Sequence, residues 1–201
     1  MVETATAIVS LVEYMGIAFK PTKLSGAFII EPERFDDARG FFARSFSQQE
    51  FAEHGLNPRL VECNISFNAR RHTVRGMHFQ RAPQAQAKLV RCTAGAIYDV
   101  AIDLRPESTT YGEWIAVELS AENRRLLYVP EGLAHGFQTL TDNSEVFYQV
   151  SSTYAPASGD GVRWNDPAFG IEWPETERVI INERDRTYPE FSWRSSETTA
   201  R

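Results

Sequence analysis

The chain has 201 residues, a length that suggests one domain with room for a substantial core. Hydrophobic residues make up 42% and charged residues 24%, ordinary values for a globular protein, and 21 Lys and Arg against 27 Asp and Glu leave a net charge of −6. That balance argues against a nucleic-acid partner. No apolar run nears the roughly 18 residues of a spanning helix, so no membrane partner is expected. The first residues lack the basic start and apolar block of a signal peptide, so a cytoplasmic location is expected, with Cys63 and Cys92 as free thiols.

Residues 1–20 read as an N-terminal extension, in which Val9, Leu11, Val12 and Met15 could line one side of a short helix. A single domain is expected over 21–193, with a polar tail at 194–201. Residues 27–30 read as a strand closed by Glu31-Pro32, and Asp36 to Gly40 as a turn. A strand over 41–46 leads into the clearest helix, 48–54. Ser47 and Glu50 match a capping box there, and Gly55 sits where a C-terminal cap belongs. This helix reads as cover for a sheet edge. Beyond Pro58 short strands follow one another at 60–66, 73–80, 88–93, 96–104, 113–119, 126–129, 136–140 and 145–151. Turn residues separate them, among them Ala94-Gly95, Tyr111-Gly112 and Pro130-Glu131-Gly132. Pro167, Pro174 and Pro189 break the remainder into short pieces. Many short strands with few helices, and no alternating βαβ units, point to an all-β sandwich or barrel. No glycine-rich dinucleotide or phosphate loop is present.

The stretch Thr73 to Gln80 puts an arginine, a glycine and a histidine inside one predicted strand. Regular alternation would place His78 and Gln80 on one face and Arg75, Met77 and Phe79 on the other. Pro130-x-Gly132-x-x-His135 resembles the second half of the signature of cupins, small double-stranded β-helix (jelly-roll) barrels. Where a metal-binding cupin supplies His-x-His and a Glu, this chain offers only His78-Phe79-Gln80, so no metal site is expected. A barrel that holds a small ligand is a natural place for a general base, and an imidazole is poised to take a proton near neutral pH. Lys88 could stabilise an enolate oxygen from inside such a barrel, and Tyr148 could act as an acid.

Seven motifs recur in a fixed order. They are Asp37-x-Arg39-Gly40-x-Phe42, Asn64-x-Ser66, Arg75-Gly76-x-His78-x-Gln80, Lys88-Leu89-Val90, Asp99-Val100-x-x-Asp103-Leu104-Arg105, Pro130-x-Gly132-x-Ala134-His135-Gly136-Phe137 and Trp164-Asn165-Asp166-Pro167. Together they resemble the dTDP-4-dehydrorhamnose 3,5-epimerases, cupin-fold enzymes of deoxysugar biosynthesis. The resemblance implies an all-β jelly roll with short peripheral helices, and an epimerase of a nucleotide-linked 4-keto-6-deoxy sugar that uses no cofactor. It implies His78 as base, oriented by Asp185, with Asp166 as the competing carboxylate. Lys88 would face the 4-keto oxygen and Tyr148 would return a proton. His135 would touch the sugar, Tyr154 would stack on the nucleobase, and Arg39 and Arg75 would hold the nucleotide and diphosphate. Both Arg75 and His78 can serve only if Gly76 allows a bulge or Arg75 sits at the barrel mouth. A homodimer with exchanged N-terminal strands is also implied.

Four positions on the implied substrate site depart from the family pattern. Arg44 and Glu62 replace the usual glutamate and glutamine, Gly159 a glutamate, and Arg184 a lysine; Asn64 keeps the pattern. These changes leave the acid–base set intact but open the choice of nucleotide, and of C3, C5 or both. The alternatives are a single-centre epimerase acting on a CDP or GDP sugar, a metal-dependent cupin enzyme, and a sugar-binding cupin without catalysis.

Overall fold

Thirteen strands, most of them rich in β-branched and aromatic residues, form among the described residues, 16–193 of the computed structural model. The first four are β1 (Ile17–Pro21), β2 (Phe28–Pro32), β3 (Arg34–Asp37) and β4 (Gly40–Ala43). Helix α1 (Gln48–Glu53) follows, then β5 (Glu62–Asn68), β6 (Val74–Gln80), β7 (Lys88–Ala94), β8 (Ala96–Asp103) and β9 (Trp114–Ser120). The chain continues through β10 (Leu126–Val129), β11 (Leu133–Thr139), β12 (Ser144–Val150) and β13 (Gly159–Gly161) to helix α2 (Glu183–Arg186). The short helix suggested around Val9 to Met15 and the tail at 194–201 lie outside the described residues.

Two antiparallel sheets form a jelly roll. One runs β1-β2-β10-β7-β12-β5, the other β13-β6-β11-β8-β9, and β3 and β4 make a separate hairpin. Strand β8 shows how the period of two divides the protein. Ile97 and Ala101 enter the core between the sheets, beside Val90, Leu127, Leu133, Phe137 and Val146. Val100 and Ile102 point the other way, into a second core closed by Val162, Trp164, Phe169 and Trp173. The proline-broken C-terminal stretch therefore covers the outer face of the five-stranded sheet.

Strand β1 lies within the stretch read as an extension for all but its last residue, Pro21, and pairs with β2 along its whole length. Its place is held by helix α1: the Glu50 carboxylate accepts the Ile17 amide, and Phe19 meets Phe51 edge-on. That same carboxylate would have closed the capping box. Only half the box forms, with the Ser47 hydroxyl accepting the Glu50 amide. Phe51 packs on Leu89, Leu126 and Tyr128, so the helix covers the face of β7 and β10, not a sheet edge. The strand expected over 41–46 stops at Ala43, because the chain must turn there to reach the Ser47 cap.

Strand β6 departs from regular alternation. Across β11, His135 pairs with His78 and Phe137 with Arg75, so two steps on β11 face three on β6. The extra residue makes a bulge at Gly76, whose φ of +129° suits glycine. A Cβ there would lie 2.5 Å from the Gly136 Cα. The bulge turns Arg75 and His78 to the same side, while Val74 and Met77 enter the outer core. Arg75 therefore does not share the face of Met77 and Phe79 that strict alternation predicts.

Candidate active site

The open end of the sandwich between the sheets holds a cavity of about 340 Å³ lined by residues of both. Strand β6 contributes Arg75 and His78, β7 contributes Lys88, β11 contributes His135 and Phe137, and β12 contributes Tyr148. Asp185 enters from α2. A smaller lobe of about 150 Å³ shares His78, Lys88 and Tyr148 and extends to Tyr154, Gly159, Asp160 and Arg184. The three shared side chains thus stand where the two lobes meet.

His78 Nε2–H donates to the Asp185 carboxylate at 2.7 Å. The other oxygen of Asp185 accepts the Gly76 amide at 3.0 Å, so the residue that makes the bulge also orients the carboxylate. The Asn182 side chain caps α2 by accepting the Asp185 amide at 2.7 Å. Burial pushes the Asp185 carboxyl up, but His78, the Gly76 amide and the nearby Arg184 outweigh it and hold the pKa below the ordinary value. Asp185 is therefore a charged partner fixed at both oxygens.

Lys88 donates to the His78 carbonyl at 3.1 Å. Burial pushes its pKa down to about 8, against the opposing pull of Asp99. Tyr148 is raised above the ordinary phenol value, chiefly by burial; Arg75 lowers it and Glu62 raises it. Arg75 donates through Nε to Asn68 at 2.8 Å, which fixes its reach into the cavity. A second imidazole–carboxylate pair lies deeper: His135 Nε2–H donates to Asp99 at 2.9 Å, and both side chains are buried.

The fold brings His78, Lys88, Tyr148, Asp185, Arg75 and His135 to one cavity, and Tyr154 and Arg184 to its smaller lobe. Glu62 stands beside them, accepting the Tyr154 amide at 3.4 Å. Asn64 lies opposite Tyr148 across β5 and β12. Two expected residues are elsewhere. Arg39 sits on the β3–β4 hairpin with its side chain 90% exposed, held by Asp37. Arg44 pairs with Glu50 at 3.1 Å and so ties the chain to α1. The competing carboxylate, Asp166, is buried among backbone amides, accepting those of Ala168 and Phe191.

Asp99 and Ser66 enter the site without having been singled out for it. Asp99 is one of two acids, with Asp103, in a strand that is mostly apolar, and a buried carboxylate in such a run needs a partner. Ser66 lines the cavity with its hydroxyl buried and without a hydrogen bond. Asn64-x-Ser66 carried it in sequence, but nothing local set its side chain apart. Among the described residues, no three His, Cys, Asp or Glu side chains converge as a set of metal ligands.

Known proteins share this chain's sequence and architecture. The profile of the dTDP-4-dehydrorhamnose 3,5-epimerase family matches residues 21–192. The dTDP-4-dehydrorhamnose 3,5-epimerase of Methanothermobacter thermautotrophicus is 48% identical over 172 residues, which cover 85% of this chain and 92% of that one. The enzyme of the same name from Salmonella typhimurium is 45% identical over 169 residues, covering 84% and 92%. The crystal structure of the Bacillus anthracis dTDP-4-dehydrorhamnose 3,5-epimerase, with TDP and PPi bound, superposes with a TM-score of 0.84 at 40% identity, covering 88% of this chain and all of that one. A jelly roll of the same topology and this level of identity over nearly the whole domain place the chain in the dTDP-4-dehydrorhamnose 3,5-epimerase family.

Proposed function

We propose that this protein is a dTDP-4-dehydrorhamnose 3,5-epimerase, inverting C3 and C5 of dTDP-4-keto-6-deoxyglucose without a cofactor. The observation that carries this reading is the His78–Asp185 bond of 2.7 Å at a cavity shared with Lys88 and Tyr148. The C3 and C5 protons are acidic because the ketone between them can take the charge as an enolate. With Nε2–H committed to Asp185, the Nδ1 lone pair of His78 is the one that accepts the proton. The electron pair of the broken C–H bond moves to the 4-keto oxygen, and Lys88, as an ammonium, stabilises it there. Tyr148 returns a proton to carbon from the opposite face, which inverts the centre. His78 then gives its proton to solvent and Tyr148 regains one, so no oxidant or reductant is required.

Substrate binding follows from the remaining charges. Arg75 holds the diphosphate, Tyr154 stacks on the base, and His135, oriented by Asp99, contacts the sugar. Arg39 completes the nucleotide site from the hairpin of a second copy in a homodimer. Exposed Phe42, Ile65 and Phe67 support this arrangement, because the last two also line the cavity and leave its rim apolar and uncovered. A second reading keeps the chemistry and changes the nucleotide to CDP or GDP. It is favoured by the Glu62 carboxylate beside Tyr154, an acceptor for the amino groups that cytosine and guanine carry.

Deuterium exchange tests both. The protein is incubated in heavy water with dTDP-4-keto-6-deoxyglucose and, separately, with the CDP and GDP analogues, and each carbon is followed by NMR. Exchange at C3 and C5 of the dTDP sugar is the expected result. Exchange at one carbon makes it a single-centre epimerase, exchange only with CDP or GDP selects the second reading, and exchange with none overturns both.

A further inference from the structure

The imidazole–carboxylate pair depends on α2, a helix of four residues. One turn cannot hold itself in water, so contacts beyond the turn must fix Asp185. On the N-terminal side these are the Asn182 cap and the bonds from Gly76 and His78. On the C-terminal side the chain leaves through Thr187 to Tyr188 and Pro189. The Tyr188 ring lies flush against Gly161 of β13, so close that a Cβ on Gly161 would collide with it. Gly161 is paired with His78 across β13 and β6. The same ring meets the His78 imidazole edge-on, with centroids 6.4 Å apart and planes at 67°. Arg184, the neighbour of Asp185, sets its guanidinium over the Tyr188 ring at 5.8 Å. One aromatic ring therefore touches the strand beside the base, the base itself and the helix that carries its carboxylate.

We propose that Tyr188 is a positioning residue for the base, seating α2 against β13 so that Asp185 meets His78 Nε2 and leaves Nδ1 directed to substrate. The ring does this work. The Tyr188 hydroxyl is buried without a hydrogen bond of normal geometry; the polar group it faces is the Arg184 guanidinium, which Tyr154 also engages, so Arg184 keeps a partner when the hydroxyl is lost. A shift of about 1 Å in a group that aligns the reacting atoms costs on the order of 10²-fold in rate. The consequence for turnover rests on the epimerase reading; the consequence for the imidazole does not.

The test compares Tyr188→Phe, Tyr188→Leu and Tyr188→Ala, each first checked for native circular dichroism and a cooperative melt. The activity-independent readout is the ¹⁵N spectrum of the His78 ring, which distinguishes a protonated Nε2 from a protonated Nδ1. Wild type and Tyr188→Phe are expected to hold the Nε2–H form. Tyr188→Ala is expected to show a mixture of tautomers, with Tyr188→Leu between them and serving in its place if Tyr188→Ala does not fold. In turnover, Tyr188→Ala is expected to lose about 10- to 100-fold in kcat with KM changed less than about threefold, and Tyr188→Phe to stay near wild type. An unchanged His78 spectrum in Tyr188→Ala, or in Tyr188→Leu if that is the folded variant, overturns the proposal. So does a Tyr188→Phe variant as impaired as Tyr188→Ala, which would make the hydroxyl the active group. Absence of exchange in the wild type would overturn the epimerase reading while the ¹⁵N comparison still decides the role of Tyr188.

Discussion

Asp185 and Asp166 are both buried carboxylates in the C-terminal stretch, yet their partners differ in kind. Asp185 meets an imidazole at the cavity; Asp166 accepts the main-chain amides of Ala168 and Phe191. Asp185→Asn is therefore expected to lower kcat by about 10²-fold or more with little change in melting temperature. Asp166→Asn should do the reverse, costing roughly 1–3 kcal/mol in denaturant unfolding while leaving the folded enzyme's rate nearly intact. Comparable rate losses in the two variants would remove Asp185 from its role as orienter. Lys88 supplies a pH test. In the folded protein its pKa is lowered to about 8 from the ordinary 10.5, chiefly by burial. Under the proposed mechanism the Lys88 ammonium stabilises the enolate, and that ammonium is lost as pH rises through about 8, so kcat should fall on that limb. Stability runs the other way: between about 8 and 10.5 the unfolded chain binds the proton more readily, so this lysine's contribution to stability improves as pH rises. Lys88→Met should then abolish exchange and raise stability near neutral pH by roughly 1–3 kcal/mol, measured by urea unfolding. A destabilised variant would show that the ammonium is not held at a cost.

At the scale of the element, the bulge in β6 decides which side chains face the cavity. Arg75 and His78 face the cavity together only because Gly76 takes up the extra residue, and Gly76 has room only because β11 offers Gly136 opposite. Gly76→Ala combines a forbidden φ with a Cβ 2.5 Å from the Gly136 Cα, so a loss of roughly 3 kcal/mol or more is expected from chemical denaturation. A variant of wild-type stability would mean that the bulge relaxes without cost. Helix α1 shows a different dependence. Its capping residue was legible in sequence, but Glu50 turned to the Ile17 amide and to Arg44, recruiting β1 into the sheet instead of completing the cap. A glutamate at that spacing carries no local sign of which donor it will find.

For the whole molecule, the exposed hairpin bearing Arg39 and the uncovered rim at Ile65 and Phe67 lead to a mixing experiment. Under the homodimer reading, Arg39→Ala and His78→Ala proteins are each impaired, one in nucleotide binding and the other in proton removal. After subunit exchange, a mixed dimer has one site with both wild-type residues, so activity should recover to about a quarter of wild type at equal mixing. No recovery after demonstrated exchange would place Arg39 at its own chain's site or at none. The sequence by itself determined the all-β class, most strand positions, the Ser47 cap and, through the family resemblance its ordered motifs carry, many of the residues that gather at the cavity. Those signals are short-range: a period of two, a capping spacing, a turn residue. Only the tertiary structure decided the rest. Asp185 reaches His78 across 107 residues, and Asp99 reaches His135 across 36. Gly76 bulges because of a glycine on another strand, and Tyr188 finds its seat on Gly161. A buried carboxylate must find a donor and a bulge must find space, but which donor and which space depends on strands that are neighbours only after the sheets have formed.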